Sequence, residues 1–554
     1  MKSIFSDRNR IISLIAVAAG FLGCYSCVKV DATLGSDLIA TNQLYDTYVA
    51  EYPLEEIQVQ TADSLSGYSQ KRMTIGAIRD EHGVTSRACA FPLIPFYDTL
   101  DFGTNAKFKS FHMIVSCDTI SINDESQRNI LQNINVYELE EDITDIYDVN
   151  AKVKHGTKRI TTSTPVYRGQ DDTVGFYFTK EFGEKYMKIL QSDLDSITHY
   201  VAKFPGIYME TDEPVGEGGR INMFKCQLQY NSSSYYVDGN YAQLNFTSTY
   251  DGVEKDTSFF FLFGADDFLD VDSLVYNAVS TFPQYVLNMS QETGDRTCSA
   301  GETMRVEGGG GLKPVISAKE IRSIMRDEIS KHGDPDIAII NKATIVLPFE
   351  FPDDYTYMRQ YPQILSPTCR LRDSDGNIYS YVNLTDASSS DEDQGDINRS
   401  LKIYSPDITY HAQSIISMDP ESKYFSNYDI WMLILANETV QSNDSSDGTS
   451  SSLSDYYTQL MYAQYYNNMM YGGYGYGGYS SYGSYGSYGS NYYNYYLMNQ
   501  LYSSMYSSSS SSTEESESQL DIYRYYDATL CGPEYPDESR RPTLRFTYSL
   551  PRAQ

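Results

Sequence analysis

Apolar and polar residues alternate along much of the chain, and this period of two predicts β-strands rather than helices. The alternation is clearest at 48–64 (YVAEYPLEEIQVQTADS), 108–122 (FKSFHMIVSCDTISI) and 133–143 (NINVYELEEDI). Short apolar runs between polar turns predict further strands, and these runs are SFFFLFG at 258–264, ATIVLPFEF at 343–351, DIWMLILAN at 429–437 and TLRFTYSL at 543–550. Many strands with long connections indicate packed antiparallel sheets.

Only two segments have a helical pattern. Residues 180–203 place apolar side chains about 3.6 residues apart, and these are Phe182, Tyr186, Ile189, Leu190 and Leu194. Ser317 and Glu320 have the spacing of a capping box, which predicts a helix that runs to about Lys331 and stops at Gly333. We therefore predict a mainly β fold with two antiparallel, jelly-roll-like β-sandwich domains, at 46–265 and 266–554, and a few short helices.

The second predicted domain is interrupted by a change in composition at 441–520. Tyr456 to Tyr506 contains 18 of the chain's 52 tyrosines among glycine and serine. Such a composition cannot build a packed core. Because strand patterns resume after it, we interpret this tract as a low-complexity insertion into a loop. Its tyrosines could stack on sugars or on one another, and a tolerated loop expansion is the simpler alternative.

The N-terminus has the pattern of a lipoprotein signal peptide. A basic head precedes an apolar run at 11–22, which is shorter than the roughly 20 residues of a membrane-spanning helix. Small residues then lead to Cys24, and we predict a signal peptide at 1–23, acylation of Cys24 with chains such as palmitate, and a tether at 24–45. Cys27 is the alternative acylation site. An ordinary secretory signal with an incidental cysteine is the other interpretation.

The net charge and the spacing of the cysteines limit the partners and the kinds of site that the sequence allows. A formal net charge of −32 disfavours nucleic acid and anionic lipid surfaces as partners. The six cysteines beyond the anchor region are scattered without a CxxC pair, so either disulfides or free buried thiols are compatible with the sequence. No histidine has metal-ligand spacing, and we predict no metal site and no cofactor.

Three segments resemble motifs that carry chemistry. EGGGGLKPV at 307–315 approaches a phosphate-binding loop, but Leu312 and Pro314 break that pattern, so a glycine-rich turn between strands is predicted instead. The acidic segments at 373–377 and 391–396 are interpreted as a hairpin turn and a solvated charge run rather than calcium loops. We find no nucleophile motif and predict no catalytic residue; paired carboxylates of a glycosidase cannot be identified from sequence alone.

The order of several segments resembles a family of Bacteroidota lipoproteins grouped as domain of unknown function 4270. The resemblance begins at LGSDL (34–38) and continues through the segments MTIGAIRDEHGVTSRACAFPL (73–93), KFKSFHMIVSCDTISI (107–122), NINVYELEEDI (133–143), FPGIYMETDEPVGEGGRINMF (204–224), VEGGGGLKPVI (306–316), INKATIVLP (340–348) and RPTLRFTYS (541–549). His82 departs from the family's usual aromatic residue, and the tyrosine tract has no counterpart. The resemblance implies a Gram-negative envelope, an outer-membrane lipoprotein and a mainly β fold, and it supplies no catalytic residue.

From these patterns we expect a non-enzymatic interaction protein or accessory subunit of a cell-envelope complex, held to the outer membrane by its lipid anchor alone. The membrane face, periplasmic or cell-surface, stays open, as does the ligand. The alternative is a surface glycan-binding protein that uses the tyrosine-rich loop. A glycan hydrolase is the third candidate, and no constellation of residues supports it.

Overall fold

The computed structural model describes most of the chain from residue 45 to residue 552. The residues left undescribed within that range are 63–64, 66, 70–71, 81–82, 97–98, 123–124, 144–145, 147, 195–196, 226–227, 232–235, 240, 264–267, 270–285, 293–297, 373–377, 385, 387–394, 442–513 and 521–523. None of the helices in the described ranges combines the length and apolarity that a membrane span requires.

Strands dominate the described residues. They are β1 (Tyr45–Pro53), β2 (Ile57–Thr61), β3 (Tyr68–Ser69), β4 (Arg72–Asp80), β5 (Gly83–Phe91), β6 (Ile94–Pro95), β7 (Thr104–Ile122), β8 (Gln132–Leu139), β9 (His155–Arg159), β10 (Val166–Tyr167), β11 (Thr173–Tyr177), β12 (Ile207–Thr211), β13 (Gly218–Lys225), β14 (Leu228–Asn231), β15 (Tyr236–Gly239), β16 (Tyr241–Tyr250), β17 (Val253–Leu262), β18 (Phe268–Leu269), β19 (Val286–Glu292), β20 (Cys298–Ser299), β21 (Thr303–Glu307), β22 (Leu312–Ile316), β23 (Ile339–Pro348), β24 (Ile364–Arg372), β25 (Ile378–Asn383), β26 (Ile397–Asn398), β27 (Ile403–Tyr404), β28 (Ile430–Gln441), β29 (Glu514–Leu520), β30 (Asp527–Cys531) and β31 (Thr543–Pro551).

The helices are short. They are α1 (Lys180–Tyr186), α2 (Gln191–Leu194), α3 (Ile197–Lys203), α4 (Ala318–Ile329) and α5 (Thr409–Ser417), with short 3₁₀ helices at 125–127, 335–337, 355–360, 425–428 and 538–540. The predicted helix after Ser317 is confirmed, and Ser317 caps it by accepting a hydrogen bond from the Lys319 amide. The segment 180–203 is not one continuous helix, since α1 ends at Tyr186 and helical residues resume at Gln191. Of the predicted apolar stripe, Phe182, Tyr186 and Ile189 are buried and Leu194 is partly buried, whereas Leu190 is 60% exposed.

One core packs against a 14-stranded antiparallel sheet in which β7 pairs with three other strands. Residues 112–116 of β7 pair with β11, residues 104–114 pair with β16, and residues 117–122 pair with β13. Register shifts interrupt the pairing of β7 with β13 and with β16, and such bulges bend and twist a strand. Buried residues from distant strands of this sheet, such as Phe111 and Phe91, join a single apolar cluster. This cluster holds most of the buried residues between 73 and 286.

A second core gathers α4 and α5 with three further sheets. The first sheet has the strand order β1-β31-β23-β27-β26, the second has β20-β2-β22-β28-β24-β25 with β29 beside β28, and the third pairs β21 with β30. Leu54 and Ile57, from the start of the described chain, are fully or almost fully buried in this core. β31 lies between β1 and β23, so the two ends of the described chain meet in one sheet.

The mainly β fold with antiparallel sheets and few short helices is confirmed. The finer description as two jelly-roll-like sandwiches stays a prediction, as do the domain boundaries. The two cores nevertheless divide the chain differently from a boundary at 265/266. β1 and β2 pack with the second core, and Val286 of β19 packs with the first. Local patterns show that a segment is a strand, but they carry no information about a partner hundreds of residues away.

Candidate functional site

β1 is the outermost strand of the five-stranded sheet. Its nine residues pair with β31 in an unbroken antiparallel register from Tyr45–Pro551 to Pro53–Thr543. Within the part of the chain that the structure describes, β31 is its only strand neighbour. The backbone groups on the other side of β1 therefore form a sheet edge, the feature to which a further strand can add.

The side chains of β1 alternate between the core and solvent. Tyr48, Ala50 and Tyr52 are partly buried against the second core, whereas Tyr45 and Val49 point outward. Tyr45 is 48% exposed and Val49 is 74% exposed. A β-branched residue with most of its surface in water has no packing role in the described chain. The outward side of β1 thus offers apolar surface beside a backbone edge that has no strand partner among the described residues.

The last turn of α4 and the residues that follow it contact the inner face of β1. The Tyr48 ring stacks on the His332 ring with centroids 4.2 Å apart and on the Tyr548 ring at 5.3 Å. Lys331 donates hydrogen bonds to the Glu328 carboxylate at 2.7 Å and to the Tyr52 hydroxyl at 2.8 Å, and Tyr52 donates to Glu328. The hydrogen bond from Lys331 is the largest cause that lowers the pKa of Glu328, and the hydrogen bond from Tyr52 lowers it further. These contacts fix the strand's inner face and leave its outer edge unobstructed by them.

Two exposed ion pairs join β1 to the end of the chain. Arg552 donates to Asp46 at 2.7 Å, and Arg545 donates to Glu51 at 3.0 Å. Each arginine lowers the pKa of the carboxyl that it contacts. Because β1 keeps its acidic groups paired within its own sheet, the strand can approach a partner without two unpaired negative charges. The arrangement suits a docking strand.

The glycine-rich segment is a turn between β21 and β22, which confirms that prediction. Lys313, which is 1% exposed, donates to the carbonyl oxygens of Glu307, Gly309 and Gly311. Gly309 has φ +58°, and an added Cβ would lie 2.5 Å from Nη2 of Arg87. The lysine that would have contacted a phosphate instead satisfies the carbonyls of its own turn.

The structure brings together one cysteine and one histidine that sequence reasoning did not associate. Sγ of Cys369 lies 3.8 Å from Nε2 of His411, and Asp386 accepts hydrogen bonds from the backbone amides of Tyr410 and His411. Burial raises the pKa of the Cys369 thiol and lowers the pKa of His411 to about 4. A neutral, fully buried thiol is not an activated nucleophile, so this arrangement is a packing contact.

The remaining predicted residues fall largely outside the described ranges. Cys24, Cys27, the turn at 373–377 and most of the tyrosine-rich insertion are among the undescribed residues. Within the described part, no group of three or more His, Cys, Asp or Glu side chains has an arrangement suited to a metal ion. The described side chains of Cys89, Cys117, Cys369 and Cys531 are free thiols. The acylation site and the role of the tyrosines stay predictions.

Comparisons with known proteins return nothing: no family model, no curated protein and no solved structure matches this chain. The resemblance to domain of unknown function 4270 therefore stays a prediction from the order of its segments.

Proposed function

We propose that this chain is a non-catalytic interaction protein of the bacterial outer membrane, an accessory subunit of a cell-envelope complex that docks through the edge of β1. The observation that carries the proposal is the strand itself. It is nine residues long, it has one strand neighbour among the described residues, and Val49 on it is 74% exposed. Proteins usually shorten or cover such edges, or place unpaired charges on them, to prevent association. β1 is long and its two acidic side chains are paired with arginines, so its edge supports a docking role.

The position of β1 along the chain supports the same proposal. It is the first strand after the predicted tether at 24–45, so the docking edge follows directly on the proposed lipid anchor. A membrane-attached partner would be reached without a long connection. Strand addition gains affinity from backbone hydrogen bonds and specificity from alternate side chains. The partner we propose is therefore a membrane protein complex that presents a free strand, such as an extended segment of an outer-membrane β-barrel protein.

Co-purification in mild detergent tests the proposal. The tagged full-length protein is isolated from native outer membranes, and bound proteins are identified by mass spectrometry. Val49→Lys places a charge on the docking edge, and Val215→Lys, at a fully exposed position outside β1, is the matched control. We expect one partner in stoichiometric amount with the wild type and with Val215→Lys, and a loss of tenfold or more with Val49→Lys.

Two results would contradict the docking role of β1. The first is elution of the wild-type protein without a partner. The second is retention of the partner by the Val49→Lys variant to the same extent as by the wild type. A shift of the thermal transition in Val49→Lys would call for a repeat with Val49→Thr, which keeps the β-branched shape and removes apolar surface.

The anchor is tested separately by metabolic labelling with an alkyne analogue of palmitate. We propose that Cys24 carries the acyl chains, so Cys24→Ala abolishes the label and Cys27→Ala retains it. The reverse pattern would assign the lipid to Cys27. Labelling of neither the wild type nor the variants would remove the lipoprotein proposal and leave an ordinary secretory signal.

A further inference from the structure

The outer face of the sheet formed by β11, β7, β16 and β17 is a second exposed surface with an unusual composition. Its residues alternate with buried members of the first core, such as Met113 and Leu244. The strand registers place Tyr177, His112, Gln243 and Phe260 side by side in one row across four strands. At the usual spacing of about 4.8 Å between strands, this row extends about 14 Å.

The next row is a ladder of amide and hydroxyl groups. Asn245 lies between Ser110 on β7 and Ser258 on β17. Its Nδ2 donates to Oγ of Ser110 at 3.0 Å, and its Oδ1 accepts from Oγ of Ser258 and from Nε2 of Gln243, the latter at 3.0 Å. These bonds set the orientation of both amides. Among the described residues, the carbonyl oxygen of Gln243 takes no part in the ladder and is an acceptor for a ligand hydroxyl.

Aromatic rings border this ladder. Tyr177 is 57% exposed, and its ring centroid lies 5.5 Å from that of His112. Tyr241 meets the edge of Phe260 at 5.1 Å. Nδ1 of His112 is shielded from solvent and has no hydrogen-bond partner among the described residues. Rings of this kind supply apolar contact area at low cost in side-chain entropy.

The two rows carry no charged side chain, although the whole protein has 74 acidic and 42 basic residues. Charged side chains flank the two rows in the described residues, where they pair with each other. Lys109 lies 2.7 Å from Asp256, and Lys107 lies 3.5 Å from Glu254. Burial lowers the pKa of His112, which keeps the imidazole uncharged at neutral pH. The face therefore complements a ligand without charge, with hydroxyl groups for the amide ladder and apolar patches for the rings.

We infer that the outer face of β11, β7, β16 and β17 binds an uncharged polysaccharide. Its pyranose rings lie against Tyr177, and their hydroxyl groups donate to the carbonyl oxygen of Gln243 and accept from the second N–H of the Asn245 amide. This site is built from residues other than those of β1 and of the tyrosine-rich insertion. It makes the protein a glycan-contacting subunit in addition to an interaction partner.

Affinity electrophoresis of the full-length protein in detergent tests the inference. The gels contain xyloglucan, glucomannan, starch or laminarin as uncharged probes, and polygalacturonate as the charged comparison. Tyr177→Ala and Asn245→Ala alter the face. Tyr355→Ala is the matched control, because Tyr355 is 59% exposed elsewhere on the surface. A variant lacking residues 456–506 reports on the tyrosine tract.

We expect at least one uncharged polysaccharide to retard the wild type and polygalacturonate not to do so. Tyr177→Ala and Asn245→Ala weaken this binding about tenfold or more, as the loss of a contact of roughly 1.4 kcal/mol requires, whereas Tyr355→Ala and the deletion retain it. Thermal unfolding confirms that each variant is folded. The inference is overturned when no uncharged probe retards the wild type, when both face variants bind normally, or when only the deletion abolishes binding.

Discussion

Arg305 holds Asp527 with two parallel hydrogen bonds, from Nε to one carboxylate oxygen at 2.6 Å and from Nη2 to the other at 2.7 Å. The two residues lie on the paired strands β21 and β30. Nη2 of the same guanidinium also lies 3.3 Å from Asp80 on β4, whose strand belongs to the first core. A single arginine thus neutralises carboxylates from both cores at their junction, and its side chain is only 17% exposed.

Replacing Arg305 should therefore destabilise the fold. Arg305→Met leaves partly buried carboxylates without their cation, which costs about 2–4 kcal/mol of unfolding free energy. Urea unfolding followed by circular dichroism measures the change. Arg545→Met removes the exposed pair with Glu51, where the arginine is 55% exposed, and should cost less than about 1 kcal/mol. Equal losses in the two variants would show that the junction network does not hold the cores together.

Lys313 gives a second stability prediction. Lys313→Met keeps much of the side-chain volume but leaves the carbonyls of Glu307, Gly309 and Gly311 without their buried donor, so we expect a loss of about 2–3 kcal/mol. The control is Lys319→Met on the exposed side of α4, with an expected change within about 0.5 kcal/mol. Denaturant titration checks both values. An unchanged stability in Lys313→Met would mean that the lysine is not part of the turn's structure.

The sequence predicted individual strands better than their partners. The alternating run at 108–122 lies in β7, and TLRFTYSL lies in β31, because each pattern reports the face that a strand buries. The alternation after residue 48 predicted strands where β1 and β2 are found. That β1 is an edge strand beside β31 could not be read locally, since the pairing joins Tyr45 to Pro551.

The polar clusters could not be predicted from the sequence either, because their members are far apart along the chain. Arg305 and Asp80 are 225 residues apart, and Cys369 and His411 lie on separate elements. Nothing in the spacing of either pair distinguishes it from the chain's many other charged residues or from its other cysteines and histidines. The glycine-rich turn was predictable because its glycines, Lys313 and flanking strands are contiguous. Local chemistry could be predicted from sequence, and chemistry assembled by long-range pairing could not.

Thiol labelling tests the interpretation of Cys369 as inert. Burial makes the sulfur inaccessible to reagents. Burial also raises the pKa of the thiol, so little thiolate is present. We expect iodoacetamide at pH 8 to modify the partly exposed Cys117 of the native protein well before Cys369 or Cys89, as mapped by peptide mass spectrometry. In urea all three should react at similar rates. If Cys369 of the native protein were labelled as fast as Cys117, the thiol would be accessible, and a nucleophilic role for Cys369 with His411 would be supported.

His411 should make stability depend on pH in a defined window. Its Nε2 lies 2.8 Å from the Tyr428 carbonyl, and burial lowers its pKa from 6.5 to about 4. Between pH 4 and pH 6.5, His411 is protonated in the unfolded chain and neutral in the folded chain. The contribution of His411 to the stability of the fold is therefore complete above pH 6.5 and falls as the pH falls toward 4. The loss reaches about 3 kcal/mol at most.

The variant His411→Gln isolates this effect, because its amide can still donate to the Tyr428 carbonyl but cannot titrate. Asp386 acts in the opposite direction, since burial raises its pKa to about 6 and its protonation below that pH favours the folded state. Both proteins keep Asp386, so its contribution cancels when their unfolding free energies are subtracted at each pH. We expect the difference between wild type and His411→Gln to change by roughly 2–3 kcal/mol between pH 7 and pH 4. A difference that does not vary with pH would show that His411 takes up its proton without opening the core around α5.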